Sequence, residues 1–200
     1  MPPLTAANDL IRARNVSASE CYALLGKHPY ATPQSIYDRL STPADFGHPE
    51  QTEAMAIGVY MEPYVARYAA RRLGLRLRAN SRTIEHKTVN LCATPDYLVL
   101  GESILVEVKV SGIMYGWTEG ELHPHYEYQA RAQMACTGRD TVIIAALVGS
   151  RLFTPVVTRD LDKEERLLQA VDKFFNEYVM PGIRPDASST KVVATVTQGG

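Results

Sequence analysis

Asp96, Glu107 and Lys109 are the residues whose types and spacing could carry out chemistry together. Asp96 precedes a short apolar run, and Glu107 and Lys109 lie in a second apolar run beyond a turn that contains Gly101. Two such runs joined by a short glycine-containing turn predict a β-hairpin. Because alternate side chains of a strand share a face, Glu107 and Lys109 should project together, with Asp96 beside them on the paired strand.

This hairpin has two interpretations. Glu107 and Lys109 could form a salt bridge on an exposed edge strand, where lysine is common because it discourages aggregation. Alternatively, Asp96 and Glu107 bind a divalent metal ion and Lys109 contacts a phosphate, since buried charges are costly unless they are paired or bind metal. An isolated Glu-x-Lys pattern favours the salt bridge, so the decision depends on the rest of the chain.

A long helix is predicted over 51–73, before the hairpin, and Gly74 ends it. Glu62 lies there in a row of small residues, which would allow its carboxylate to approach a sheet closely. A solvent-facing glutamate is the alternative for Glu62. The apolar surface of this helix is predicted to comprise Met55, Val59, Met61, Val65, Tyr68 and Leu73.

A second helix is predicted after the hairpin, over 126–137, with Gly138 as its end. Tyr126, Gln129 and Gln133 lie on related faces of it because they are three and four residues apart. Polar side chains from this helix could therefore reach the same place as the hairpin.

The order of the predicted elements indicates an α/β (α+β) fold with a central mixed β-sheet flanked by helices. Ser17 and Glu20 form a capping-box pattern, which predicts that a first helix starts at Ser17. We expect a single domain over 1–184, followed by a polar, flexible tail over 185–200. The other predicted elements are helices over 32–40 and 160–180 and strands over 75–82, 83–91, 97–100, 104–110, 141–148 and 152–158.

The composition is that of a soluble globular protein, with 46% hydrophobic and 22% charged residues. Its net charge of −1 excludes a generally basic nucleic-acid-binding protein, so any basic surface must be local. Such a surface is predicted by one short stretch, which forms either a solvated face or a patch for DNA phosphates. Its basic residues are Arg67, Arg71, Arg72, Arg76, Arg78, Arg82 and Lys87.

The three cysteines, Cys21, Cys92 and Cys136, are widely spaced and contain no Cys-x-x-Cys pattern. This argues against a disulfide framework, a zinc site or an iron–sulfur cluster, so each cysteine should pack as a small hydrophobic residue. Neither a signal-peptide pattern nor an apolar run of membrane-spanning length is present. We expect a cytoplasmic location, in the host cell if the protein is phage-encoded, and no membrane partner.

Five sequence elements together resemble the PD-(D/E)XK nuclease superfamily, and within it the lambda-exonuclease/YqaJ-like viral recombinase nucleases. They are the segments 16–20, 58–62, 93–96, 106–109 and 126–134. The likeness runs from about Arg12 to Arg139, and it implies a restriction-endonuclease-like core. One departure is Tyr97, where the family often has glycine after the aspartate, and a second is the long loop over 111–124.

By this resemblance, Asp96 and Glu107, with the Val108 carbonyl, would hold the catalytic metal, and Glu62 would complete the site. The implied cofactor is Mg²⁺, with Mn²⁺ as the alternative and two ions per site. Carboxylates are the hard oxygen ligands that Mg²⁺ prefers. Two ions can stabilise both the attacking and the leaving oxygen of a phosphodiester.

The resemblance implies roles for further residues around this metal site. Lys109 would contact the attacking water or the scissile phosphate, Gln129 would support it, and Tyr126 would lie nearby. Arg12 and Ser19 match positions that contact a DNA 5′-phosphate in lambda-exonuclease-like enzymes.

The resemblance thus predicts a metal-dependent deoxyribonuclease, a 5′→3′ exonuclease on linear double-stranded DNA in phage-type recombination or DNA end processing. It also implies a homotrimer and a single-strand annealing protein as partner. The alternatives are an endonuclease or nickase with the same site, and a catalytically silent DNA-binding protein of the same fold.

Overall fold

The computed structural model describes residues 6–26, 28–42, 52–112, 117–118 and 121–186. The predicted tail lies almost entirely outside these ranges, as does part of the loop over 111–124. A short 3₁₀ helix spans Cys21–Leu24, and a π-helical turn over Phe175–Val179 extends the last helix. The α-helices are α1 (Ala6–Arg14), α2 (Pro33–Ser41), α3 (Glu53–Leu73), α4 (Pro124–Thr137) and α5 (Leu161–Phe174).

The strands form one large mixed sheet and two small sheets. The large sheet has the order β10-β9-β6-β5-β2, with β11 also paired to β9, and β6 and β9 run parallel over their full lengths. The predicted mixed sheet flanked by helices is therefore confirmed. The strands are β1 (Val16–Ser17), β2 (Leu77–Ala79), β3 (Ile84–Glu85), β4 (Leu91–Ala93), β5 (Tyr97–Val99), β6 (Ile104–Ser111), β7 (Trp117–Thr118), β8 (Glu121–Leu122), β9 (Thr141–Val148), β10 (Arg151–Phe153) and β11 (Val156–Thr158).

Different helices cover the two faces of the large sheet. On one face, Val65 and Ala66 of α3 pack in the same cluster as Val106 of β6. On the other face, Ala130 of α4 packs in the same cluster as Leu105. A third cluster joins α5 to the 3₁₀ helix and the small sheet β1-β4-β3. The strand β6 is thus enclosed between α3 and α4, and this arrangement decides which of its side chains meet which helix.

The local signals that mark the start of α2 and the ends of α3 and α4 are confirmed. Thr32 caps α2 through a hydrogen bond from the Ser35 N–H, and Pro33 occupies the first helical position. Gly74 and Gly138 end α3 and α4 with positive φ angles of 69° and 70°. Glycine adopts this left-handed conformation without the steric cost that a side chain would add.

The prediction for the first helix is wrong. Ser17 is not a helix cap, because Val16–Ser17 forms the strand β1, which pairs in parallel with β4. Glu20 nevertheless accepts the Ser17 N–H at 2.8 Å, which is half of the predicted capping box. The helix that precedes this segment, α1, was not expected from the sequence. Pairing with a strand so distant in sequence overrode the local capping signal.

The outward surface of α3 also differs from the prediction. Val65 is buried and Met61 is partly buried, but four residues of the expected apolar surface, Met55, Val59, Tyr68 and Leu73, are exposed. The buried face is instead made of small residues, so the sheet lies close to the helix backbone. Large side chains of α3 are consequently left facing outward.

The three cysteines are free, and Cys21 and Cys92 are buried, as expected of small hydrophobic residues. Burial raises the pKa of the Cys92 thiol to about 12. Within the described ranges, no helix is long and apolar enough to cross a membrane.

The close contact between α3 and the sheet predicts that larger side chains are tolerated on the exposed side of this helix but not on the side that faces the sheet. Ala66 is 1% exposed, so Ala66→Leu should lower the free energy of unfolding by about 1–3 kcal/mol through overpacking. Ala54, on the same helix, is exposed, and Ala54→Leu should change it by less than about 0.5 kcal/mol. Urea denaturation of both variants measures the difference, and equal effects would contradict the packing described.

Candidate active site

Asp96 lies immediately before β5, and its carboxylate is anchored on β6. Its Oδ2 atom accepts a hydrogen bond of 2.7 Å from the Val108 N–H, and the residue is buried. The antiparallel pairing of Tyr97 with Val106 sets this register. The predicted hairpin is therefore confirmed, and it brings Asp96 beside the strand that carries the other two candidates.

That strand, β6, lies in the interior of the sheet and not at its edge. It pairs with β5 on one side and with β9 on the other. Lys109 and Glu107 do form an ion pair, with 2.8 Å between Nζ and Oε1, but Glu107 is buried. The interpretation of these residues as an exposed edge salt bridge is consequently wrong.

Glu107 faces α4, which supplies two amide donors to its carboxylate. Gln129 Nε2 donates to Oε1 at 2.6 Å, and Gln133 Nε2 donates to Oε2 at 2.5 Å. With Lys109, three side chains therefore hold one carboxylate in place. Glutamines do this without adding charge, so the negative charge of Glu107 is retained and oriented.

Gln133 is a site residue to which the sequence assigned no role. It is 1% exposed, and its Oε1 atom has no hydrogen-bond partner in the described part of the chain. A buried polar side chain normally has its hydrogen bonds satisfied. The signal that could have identified Gln133 is its position one turn after Gln129.

The electrostatics of the site reflect burial and mutual repulsion. Burial raises the pKa of Asp96 well above its usual range, the charge of Glu107 raises it further, and the Val108 N–H opposes the shift. Burial by itself would lower the pKa of Lys109, but the charge and hydrogen bond of Glu107 raise it above the ordinary value. Lys109 is thus held in its charged form between two acids.

Glu62 reaches this region from α3, on the opposite face of the sheet. Burial raises its pKa, and the charge of Glu107 acts in the same direction. A side-chain hydrogen bond links Glu62 to Tyr97, whose own pKa is raised to about 12, chiefly by burial and by the charge of Glu62. The tyrosine that departs from the family pattern is therefore the residue that contacts Glu62.

The site offers two carboxylates and not a complete set of protein ligands for a metal ion. In the described ranges, no three side chains of His, Cys, Asp or Glu are grouped closely enough to hold a metal. Asp96 and Glu107 nevertheless provide two buried carboxylates that repel each other. Mg²⁺ is commonly held by one or two carboxylates and completed by waters and substrate phosphates, so the chemistry of this pair fits such an ion.

Tyr126 lies beside Lys109, at the start of α4. Lys109 Nζ is 5.5 Å from the centre of the Tyr126 ring, and the Tyr126 ring is 4.9 Å from that of Trp117. Trp117 is 4% exposed, so it packs against the core and is not free to stack on a base. His125 also contacts Tyr126, and burial with its neighbouring histidines lowers its pKa to about 3.

Arg12 and Ser19 lie in a separate N-terminal unit beside this site. No described hydrogen bond joins either side chain to Asp96, Glu107 or Lys109. Arg39 holds the unit together: it donates to the Arg12 and Asn15 carbonyls at 2.5 and 2.9 Å, and it pairs with Glu20. No local pattern indicates this role, since Arg39 lies on α2, 27 residues after Arg12.

The mixed sheet and the Asp96, Glu107 and Lys109 arrangement define a member of the PD-(D/E)XK nuclease superfamily. Residues 9–140 match the YqaJ-like viral recombinase domain, and the chain belongs to this family. No curated protein sequence matches the chain.

Two solved structures show the same fold. The alkaline exonuclease LHK-Exo from Laribacter hongkongensis has a TM-score of 0.71 and 24% identity, over 86% of this chain and 92% of that one. A phage related exonuclease from Haemophilus somnus 129PT has a TM-score of 0.60 and 13% identity, over 84% of this chain and 96% of that one. At these identities the likeness establishes the fold alone.

The hydrogen bond from Gln133 to a buried carboxylate predicts a measurable contribution to stability. Gln133→Met should lower the free energy of unfolding by about 1–2 kcal/mol, because a bond to a charged group is lost while an unpartnered oxygen is also removed. Gln169 is the matched control, since it donates to Glu165 on the exposed side of α5.

Gln169→Met should change the free energy of unfolding by less than about 0.5 kcal/mol. Both variants can be compared by urea denaturation at neutral pH. If they have equal effects, Gln133 does not support Glu107 as described.

Proposed function

We propose that this protein is a metal-dependent deoxyribonuclease that degrades linear double-stranded DNA from its 5′ ends. The observation that carries the proposal is the group formed by buried Asp96 and Glu107 with partly exposed Lys109, in which both Glu107 oxygens are held by amides of α4. Two repelling carboxylates are placed here at a cost in stability, which is typical of a metal site and not of a structural ion pair.

Each residue of the group has a part in phosphodiester hydrolysis. Asp96, Glu107 and the Val108 carbonyl would hold Mg²⁺, with Mn²⁺ as the alternative, and Glu62 would help to hold a second ion. When bound, such an ion supplies Lewis acidity to water and to phosphate oxygen. Lys109, a compact charge, holds the attacking water or a non-bridging phosphate oxygen.

Residues around this group orient the lysine and the substrate. Gln129 fixes the Glu107 oxygen that also binds Lys109, so the two side chains keep one relative position. We assign Tyr126 to the substrate because its ring centre lies 5.5 Å from Lys109 Nζ. We assign Arg12 and Ser19 to the 5′-phosphate from the family resemblance, and the hydrogen bond from Arg39 to the Arg12 carbonyl gives the Arg12 backbone a defined position.

The local arginine patch supplies the positive charge that a DNA substrate requires. Its arginines, from Arg67 to Arg82, are exposed on α3, on β2 and beside them. Phosphate contacts of this kind give salt-sensitive binding without sequence preference. The exonucleases named among the similar structures, and the family itself, support a role in phage-type recombination or DNA end processing. We further propose a homotrimer and a single-strand annealing protein as partner.

Digestion of linear and closed-circular DNA tests the proposed activity. Linear duplex should be degraded with Mg²⁺, circular duplex should remain, and EDTA should abolish the reaction. Asp96→Asn and Lys109→Gln should each lower the rate about 10²–10³-fold or more, since the first weakens a proposed metal ligand and the second removes a positive charge that would stabilise the transition state. Asp172→Asn, an exposed control on α5, should keep the wild-type rate.

The outcomes of this digestion separate the alternatives. Cleavage of the circle would indicate an endonuclease or nickase. Intact linear DNA with either metal would indicate a DNA-binding protein without activity. Full activity of both site variants would contradict the site assignment.

A comparison of DNA ends tests Arg12. The wild-type protein should degrade 5′-phosphorylated duplex faster than 5′-hydroxyl duplex, and Arg12→Ala should reduce this preference about ten-fold or more, because a charge-assisted contact is lost. Arg14→Ala is the matched control, since Arg14 lies on the same helix, is exposed and pairs with Glu85. An unchanged preference in Arg12→Ala would remove Arg12 from the 5′-phosphate site.

A further inference from the structure

The outward face of α3 carries a row of exposed tyrosines. Tyr60, Tyr64 and Tyr68 are four residues apart and therefore lie along one side of the helix. Their exposed fractions are 77%, 61% and 60%. The solvent face of a helix in a globular protein is ordinarily polar. Three large aromatic rings in a row are thus presented outward.

The same stretch is strongly and uniformly positive. The segment 63–84 contains six arginines and no acidic residue. Every one of these arginines is exposed, and among the described residues none forms an ion pair with a carboxylate. Arg67 and Arg71 adjoin the tyrosines, and the Arg67 guanidinium lies 4.9 Å from the centre of the Tyr64 ring. Their charge is available to a polyanion.

We infer that this tyrosine row, Tyr60, Tyr64 and Tyr68 with Arg67 and Arg71, is a binding surface for single-stranded DNA. Stacking of bases on aromatic rings, combined with a positive track for the backbone, is how proteins hold single strands without sequence preference. The rings follow one another at about 6 Å along the helix, from four residues of 1.5 Å each.

This spacing distinguishes a single strand from a duplex. A rise of about 6 Å is nearly twice the 3.4 Å separation of nucleotides along one strand of a duplex, so each ring suits one unstacked base of an extended strand. In a duplex the base faces are covered by their neighbours and cannot stack on a side chain. The arginines could bind the phosphates of a duplex or of a single strand equally well, whereas the tyrosines could stack only on the bases of a single strand.

The position of the tyrosine row indicates which strand it would bind. Val65, Ala66 and Ala69 face the sheet, and Glu62 lies on that side of α3 as well, whereas Tyr60 and Tyr64 lie on the opposite side of the helix. The row therefore does not line the candidate active site. This step rests on the proposed function. The strand available to the tyrosine row is then the complementary strand that remains after one strand of a duplex is digested.

Charge favours this occupant over a second tyrosine row. A contact between the rows of two copies of the chain would bring arginine against arginine and is therefore opposed by electrostatic repulsion. The proposed trimer would join its subunits through unlike surfaces, so it does not require such a contact. A strand of DNA carries one phosphate per nucleotide, which complements the positive row along its whole length.

Binding of fluorescent oligothymidylate to the intact protein in EDTA, followed by anisotropy, tests the inference without cleavage. Tyr60→Ala, Tyr64→Ala and Tyr68→Ala should each weaken single-strand binding about ten-fold, within the range known for base stacking, and change duplex binding less than about two-fold. Tyr64→Phe keeps the ring and should bind as the wild type does.

The salt dependence tests the arginines. Arg67→Ala together with Arg71→Ala should reduce the slope of log K against log salt by about 1.4, from about 0.7 for each phosphate contact to a single strand. Arg166→Ala, an exposed charge loss on α5, should leave this slope unchanged.

The outcomes separate this inference from the proposed nuclease activity. If the tyrosine variants bind oligothymidylate as tightly as the wild type, the inference is overturned. It is also overturned if they change only the oligomeric state measured by light scattering, or if polyglutamate binds the row and oligothymidylate does not. If the wild type fails to cleave DNA but the tyrosine variants still lose single-strand binding, the proposed activity is wrong and the surface stands.

Discussion

The repulsion between the buried carboxylates of Asp96 and Glu107 is the constraint on which the rest of the site depends. Burial raises the pKa of Asp96 well above its usual range and the charge of Glu107 raises it further, so a charged Asp96 beside Glu107 requires compensation. Four groups compensate for this charge: the Val108 N–H on Asp96, and the Lys109 ammonium and two α4 amides on Glu107. A metal ion would complete the compensation, which is why we interpret the arrangement as functional.

The fold provides the compensation through the position of β6. Because this strand is interior, its alternate side chains meet two different helices, and the residues that face α3 pack as hydrophobic core. The residues that face α4 meet Gln129 and Gln133, placed one helical turn apart. Glu62 belongs to the other helix, where a side-chain hydrogen bond joins it to Tyr97 and the charges of Glu107 and Lys109 act on it. The site therefore joins the two sides of the sheet.

The helix α3 shows how one element can serve two environments. Its inner side is built from small residues such as Ala66, which bring Glu62 close to the sheet. Its outer side cannot bury the larger residues that remain, so Tyr60 and Tyr64 face outward beside arginines. The sequence predicted an apolar stripe on this helix, and the failure of that prediction is informative. Large side chains were exposed because small residues already filled the contact with the sheet.

The sequence by itself determined the features that depend on neighbouring residues. The hairpin from Asp96 to Lys109, the ends of α3 and α4 at Gly74 and Gly138, and the family follow from local pattern, because turn chemistry and alternation act over a few residues. Only the tertiary structure decided the features that depend on distant pairing. The strand β1 exists because it pairs with β4, Gln133 reaches Glu107 across 26 residues, and the interior position of β6 requires β9. These contacts are formed when the chain buries its core, and no local propensity encodes them.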